Sequence, residues 1–168
     1  KNKFNLTINI VQEKGKILNT GGGVLNAINY FLNEPFLIIN PDTIWNSHYL
    51  KELKLMEKTL FENKKRKCSL LVVNKEKSFD QSFKGDFNLK NNLINRKDRD
   101  NLNCIYTGLQ IIKPEVFNGL SEEVFSINRI WDKLIQKNEL HGMESNISFL
   151  HVSTLDIYKR LLEKYFKH

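Results

Sequence analysis

Cysteine is scarce in this 168-residue chain: there are only Cys68 and Cys104. Both lie in apolar, strand-like runs and neither has metal-type spacing. That excludes a disulfide scaffold and fits reduced core thiols in a cytoplasmic protein. Long apolar runs are also missing, so no membrane span is expected, and no signal peptide opens the chain. His48, His141 and His168 show no partner spacing and read as surface residues. No Ser-His-Asp order or paired-carboxylate motif points to hydrolysis. The chain opens on Lys1, not Met, and enters a strand pattern almost at once, as expected of a chain that was cut or that starts mid-gene. The length suits a single domain over residues 1–168 that buries roughly 70% of its unfolded surface and needs no staples.

What the chain does have is positive charge, net +7, most densely at Lys64-Lys65-Arg66-Lys67. A nucleic-acid patch is one reading and a solvated helix end is the other. Without interleaved aromatics the charge alone does not support a nucleic-acid partner. A mild positive field also gathers anionic sugar phosphates and nucleotides.

Hydrophobic periodicity predicts alternating elements. Phe4 to Val11 reads as a strand and Gly22 to Leu32 as a short helix ended by Asn33-Glu34-Pro35. Phe36 to Ile39 reads as a strand buried on both faces, as in a parallel sheet. Asn46 to Phe61 is an amphipathic helix, with Leu50, Leu53, Met56, Leu60 and Phe61 on one side, and Cys68 to Val73 a buried strand. A hairpin over residues 83–95 and a long strand from Cys104 to Lys113, broken near Gly108, follow. Then come a helical turn at Pro114, a helix from Ile127 to Lys137 capped by Ser126, and short strands at Leu140 to Met143 and Ser148 to Val152. Thr154 caps a last helix with Ile157, Leu161, Leu162, Tyr165 and Phe166 inward. The order implies an α/β fold with a Rossmann-like, doubly wound mixed sheet.

Three of the eight glycines are consecutive, in Thr20-Gly21-Gly22-Gly23. Such a turn opening a helix brings backbone close to a ligand and aims N–H groups at phosphate or base edges, although a bare glycine turn is often only a tight connection. Soon after it, Phe36-Leu37-Ile38-Ile39-Asn40-Pro41-Asp42 ends a strand on a carboxylate, where open α/β sheets place their chemistry. Asp42 reads either as a Mg²⁺ ligand or as an ordinary turn residue. Gly108 inside a strand marks a bulge or a close approach.

Thr20 to Trp45 resembles the sugar-phosphate nucleotidyltransferase family, nearest the N-acetylmuramate-1-phosphate uridylyltransferase and mannose-1-phosphate guanylyltransferase branch. Tyr106-Thr107-Gly108-Leu109-Gln110, Phe125-Ser126-Ile127-Asn128-Arg129-Ile130-Trp131-Asp132 and Leu150-His151-Val152-Ser153-Thr154 resemble later segments, in the family's order. The resemblance implies a nucleotide-diphospho-sugar transferase fold and a role in nucleotide-sugar biosynthesis for the cell envelope. It also implies transfer of a nucleotidyl group from a nucleoside triphosphate (UTP or GTP) to a sugar-1-phosphate, with release of pyrophosphate. It makes Asp42 the catalytic metal aspartate for Mg²⁺, places Thr20, Gly21, Gly22 and Gly23 against the nucleotide, and places Asn40, Gly108 and Asn128 on the substrate side.

Two departures stand out. The chain has no G-x-G-x-R loop and no Pro-Lys pair, the groups that grip the triphosphate in the family. It is therefore expected to be an N-terminally incomplete domain, inactive on its own. His151 stands where many members carry a second metal aspartate. A neutral imidazole is a poor Mg²⁺ ligand, so a supporting or core role is expected for His151. The alternative function is a non-catalytic nucleotide- or sugar-phosphate-binding module of the same fold.

Overall fold

The computed structural model describes residues 6–121 and 123–166. Its elements in chain order are α1 (Asn19–Ala27), β1 (Phe36–Ile39), α2 (Tyr49–Glu62), β2 (Cys68–Asn74), β3 (Asn88–Lys90), β4 (Leu93–Asn95), β5 (Cys104–Ile112), α3 (Asn128–Gln136), β6 (Leu140–Ser145) and α4 (Leu155–Tyr165). The six strands form one mixed sheet in the order β1-β5-β2-β6-β4-β3. Helices α1 and α3 cover one face, around Phe36, Leu70, Ile112 and Leu134. Helix α2 covers the other, around Leu71, Leu109 and Ile111. This is the α/β architecture with a mixed sheet that the alternating pattern implies.

Several local expectations change. Phe4 lies outside the described residues, and residues 6–14 form no strand. Leu6, Ile8 and Ile10 alternate but stay exposed. β1 does not lie in a parallel pair. β5 sits between β1 and β2 and runs antiparallel to both. β1 is thus an outer strand and only half buried, which is why Ile39 is exposed. Only β2 and β6 pair in parallel.

The inward stripe of α2 is Tyr49, Leu53, Met56 and Leu60, spaced for one helical face. Leu50 and Phe61 fall one residue off that stripe and are exposed. In α4, Ile157 and Leu161 are buried, but Tyr165 and Phe166 are exposed. Leu162 and Phe166 instead line a shallow apolar groove with Ile44 and Val152. The Thr154 hydroxyl accepts the Ile157 N–H at 3.2 Å, as a cap does. The hairpin is shorter than its alternation suggests. It turns on Asn91 and Asn92, both with positive φ, the conformation a two-residue turn favours. The expected strand at residues 148–152 is reduced to single bridges at Phe149 and His151. Ser126 precedes α3 and accepts the Asn128 N–H at 3.3 Å.

Cys68 and Cys104 are free and buried, and burial pushes both thiols up. His48 is exposed as expected, whereas His141 is half-buried and burial holds its pKa below the usual value. His168 lies outside the described residues. Trp131 is core. Its indole N–H donates to Gln110 Oε1 at 3.0 Å, and this buried amide ties α3 to β5. No helix among the described residues is long and apolar enough to cross a membrane.

The glycines of α1 lie within its first turns instead of forming a turn before it. Glycine is a poor helix former, so packing must compensate. At Gly22 a Cβ would overlap the Glu123 carbonyl oxygen, and at Gly21 the Phe125 ring. Gly23 would meet only the end of Glu13, at 3.1 Å. We therefore expect Gly22→Ala to destabilise the fold by about 3 kcal/mol through overpacking. Gly23→Ala should be neutral or stabilise by up to about 1 kcal/mol. Denaturant unfolding of the two variants checks this contrast.

Candidate functional site

β1 runs out at Asn40-Pro41-Asp42, and β5 holds that end in place. The Asn40 N–H donates to the Gly108 carbonyl at 2.8 Å. Gly108 has φ +91, and a Cβ there would lie 2.7 Å from Asn40 Cβ. The register of β5 against β2 shifts at this point, so the expected bulge is present. Next along the chain, Thr43 Oγ1 donates to the Thr107 carbonyl at 2.7 Å, and Trp45 Nε1 donates to the Asn40 carbonyl at 2.9 Å.

Beyond the sheet, a second set of backbone bonds fixes the same turn. Val152 N–H donates to the Asp42 carbonyl and Ile44 N–H to the Leu150 carbonyl, each at 2.8 Å. On the far side, Phe79 and Phe149 extend the pairing through Phe79 N–H to the Phe149 carbonyl at 2.9 Å. Asp80 locks this layer. Its carboxylate accepts from Ser153 Oγ at 2.5 Å and from the Ser82 N–H at 3.0 Å. Hydrogen bonds from Ser153 and Ser82 hold the Asp80 carboxyl below the usual carboxylate range.

This scaffold brings Asp42 and His151 together. His151 Nε2 stands 3.3 Å from Asp42 Oδ2, with the carboxylate half exposed and the ring mostly covered. The imidazole sits between Phe83 and Phe149, with ring centroids 5.6 and 5.5 Å away. His151 Nδ1 is buried and has no hydrogen-bond partner.

A second cluster lies across β5. A pocket of about 240 Å³ is lined by Thr20, Asp86, Arg96, Tyr106 and Asn128, among others. Arg96 Nη2 donates to Asn128 Oδ1 at 2.6 Å and Nη1 to Asp132 Oδ1 at 2.5 Å. Burial pushes the Tyr106 phenol up, so that wall stays neutral. The stretch from Tyr106 to Gly108 links the clusters: Tyr106 lines the pocket, Thr107 holds Thr43, and Gly108 meets Asn40.

The glycines behave differently from a phosphate cradle. Gly22 N–H donates to the Phe125 carbonyl at 3.1 Å, so the close approach is to the chain itself. At the start of α1, Glu13 Oε2 accepts the Leu18 N–H at 2.9 Å, placing a carboxylate where an anion would bind. Gly22 also lines a larger cavity of about 410 Å³ with Lys14, Lys16 and Leu25. The sequence reading missed Glu13, Asp80 and Arg96, and it gave Ser153 no contact of its own. Only the Ser-Phe-Asp-Gln-Ser run around Asp80, with a carboxylate that can bond its own backbone two residues on, offered a local signal.

No family model matches the chain. Over 145 residues it is 25% identical to the N-acetylmuramate alpha-1-phosphate uridylyltransferase of Caulobacter vibrioides, covering 85% of this chain and 60% of that protein. HddC from Yersinia pseudotuberculosis, solved in complex with GMP-PN, superposes with a TM-score of 0.64 at 18% identity, over 90% of this chain and 64% of that one. A putative glucose-1-phosphate thymidylyltransferase from Bacillus anthracis, in complex with a sucrose, gives a TM-score of 0.60 at 19% identity, over 89% of this chain and 61% of that one. Sequence and fold both resemble the sugar-phosphate nucleotidyltransferases. The chain spans about three fifths of the length of these nucleotidyltransferase-like relatives.

Asp80→Ala should cost about 1.5–3 kcal/mol at neutral pH, the scale of hydrogen bonds to a charged group. The folded pKa is depressed, so this contribution is present above the unfolded value of about 4 and is lost as pH falls through the lower folded value. Urea unfolding from neutral pH to about pH 2 should show the gap between wild type and variant closing. A gap that persists in acid contradicts the assignment.

Proposed function

We propose that the protein transfers a nucleotidyl group from a nucleoside triphosphate, UTP or GTP, to a sugar-1-phosphate and releases pyrophosphate. The observation that carries this reading is the fixed Asp42 tip. A half-exposed carboxylate at the end of a strand is pinned by Gly108 and Val152 and joined through β5 to a polar pocket of monosaccharide scale. Similarity to the uridylyltransferase supports the same reaction class.

Asp42 offers one oxygen donor to a hard divalent cation, and no group of three or more His, Cys, Asp or Glu side chains that could hold a metal stands among the described residues. Asp42 supplies the carboxylate, and Mg²⁺ commonly takes one or two carboxylates and fills the rest of its shell with water and substrate phosphate. His151 does not suit direct ligation. A ligating Nε2 needs its proton on Nδ1 and an acceptor for it, and Nδ1 here is buried without one. With the proton on Nε2 the ring instead lies in reach of Asp42 and orients its carboxylate. When bound, the metal ion would neutralise triphosphate charge.

The chain's own groups do the positioning. In-line transfer needs no covalent intermediate, so the work is alignment and charge stabilisation. Asn40 and Gly108 fix the β1 tip beside the acceptor side. Asn128 faces the sugar pocket, and Thr20, expected against the nucleotide, lines that same pocket. Gly21 and Gly22 let the α1 start pack closely on Phe125 and Glu123 beside the larger cavity, where base and ribose would lie against Gly22, with Gly23 next along the helix. The Glu13 carboxylate at that helix end disfavours phosphate there and suits an uncharged base. The setting we infer is cytoplasmic, in nucleotide-sugar supply for a cell envelope. The non-catalytic alternative is favoured for the 168 residues alone, which hold no G-x-G-x-R loop.

Joined to a G-x-G-x-R strand-loop, the chain should release pyrophosphate from UTP or GTP with a sugar-1-phosphate, and alone it should not. In the joined protein Asp42→Asn should lower the rate by about 10²-fold or more, the scale of one lost electrostatic stabiliser. His151→Ala should cost much less. Near-full activity of Asp42→Asn, or robust turnover by the 168 residues alone, contradicts the reading.

A further inference from the structure

Arg96 closes one side of the smaller pocket and reaches from the end of β4 to α3, where Asn128 and Asp132 stand one turn apart on the same face. Its Nη1 donates to Asp132 Oδ1 at 2.5 Å and its Nη2 to Asn128 Oδ1 at 2.6 Å. On the near side, Nε donates to the Asp86 carbonyl at 3.2 Å, and the guanidinium carbon lies 4.4 Å from the centroid of the Phe87 ring. Every guanidinium nitrogen is thus engaged, and the side chain is only 23% exposed. A planar fork held along three edges and on one face has little freedom left.

That fork decides which way the Asn128 amide points. A guanidinium only donates, so the amide oxygen must face Arg96, and a flipped amide would set N–H against N–H. The nitrogen then turns to the other side, where Nδ2 donates to Ser126 Oγ at 3.2 Å. The same hydroxyl oxygen accepts the Asn128 backbone N–H at 3.3 Å, which holds the side chain against the start of α3. An amide NH2 carries two hydrogens, and Ser126 takes one of them. The second has no acceptor among the described residues. Asn128 is exposed and lines the pocket together with Ser126 and Arg96. Position 128 therefore offers a donor of fixed direction, which an accepting oxygen on a ligand would satisfy.

We propose that Asn128 donates a hydrogen bond to an oxygen of the bound sugar, and that Arg96 is the positioning residue that sets the amide in that role. The inference rests on the sugar-1-phosphate reading above. It adds the polarity of one sugar contact and the residue that fixes it.

The test is NMR titration of the purified, ¹⁵N-labelled protein with α-D-glucose 1-phosphate and N-acetylglucosamine 1-phosphate, with calorimetry of the same pairs. The Asn128 side-chain amide signals are identified by their loss in Asn128→Ala. One of the two hydrogens should move downfield as at least one probe binds, a shift that a purely structural amide would not show. In calorimetry, Asn128→Ala and Arg96→Met should each weaken that probe by about fivefold to tenfold, the scale of one hydrogen bond, with circular dichroism confirming that the fold is kept. The double variant should bind within about twofold of Asn128→Ala, because Arg96 acts through Asn128 and the two losses are not independent. Losses that multiply would mean that Arg96 reads the ligand directly, and would overturn the inference. An amide unmoved by a probe that binds, or full affinity in Arg96→Met, also overturns it and leaves the sugar-phosphate reading standing. If neither probe binds the wild-type protein, the underlying reading falls and this inference falls with it.

Discussion

Gly108 is the point on which the two halves of the site depend. There β5 enters a left-handed backbone conformation, shifts its register against β2, and takes the Asn40 N–H on its carbonyl. Any side chain at this position would press on Asn40. The bulge aims the end of β1 and fixes where Asp42 emerges. It also turns Thr107 toward Thr43 while Tyr106 lines the pocket on the Arg96 side. One irregularity in one strand thus sets the carboxylate tip and the Tyr106 wall of the pocket relative to each other.

The tip is then held from outside the sheet. Residues 149–153 lie between the β1 turn and the 77–82 segment, and Asp80 fastens that layer through Ser153 and Ser82. His151 sits inside this clamp, between two phenylalanines, with Nε2 turned to Asp42. Its Nδ1 is buried and unpartnered, the observation on which the supporting role proposed for the ring rests. The Arg96 bridge plays a corresponding part across β5 by fixing Asn128 at the start of α3.

Local chemistry was legible in the sequence wherever a few adjacent residues determine it. The strand ending on Asp42, the bulge at Gly108, the Thr154 cap and the buried β2 run all follow from composition and spacing. Long-range pairing was not legible. Phe36–Ile39 reads as a parallel, doubly buried strand, yet its partner is the antiparallel β5, some seventy residues on, and one face stays half open. Leu6, Ile8 and Ile10 alternate like a strand, but alternation does not say whether the side chains are buried, and all three stay exposed. The triple glycine reads as a ligand turn. Its close approach is to Glu123 and Phe125, a contact visible only once the chain has folded back. Arg96, Asp80 and Glu13 stayed hidden for the same reason, since each acts on residues distant in sequence or through a bend that no short motif records.

The most direct test of the central claim is anomalous diffraction from crystals of the protein soaked with Mn²⁺ and a nucleotide sugar. A metal peak is expected in contact with the Asp42 carboxylate, with His151 Nε2 outside the metal's coordination shell and sugar density in the pocket beside Arg96. A metal bound away from Asp42, or one ligated directly by His151, would contradict that claim.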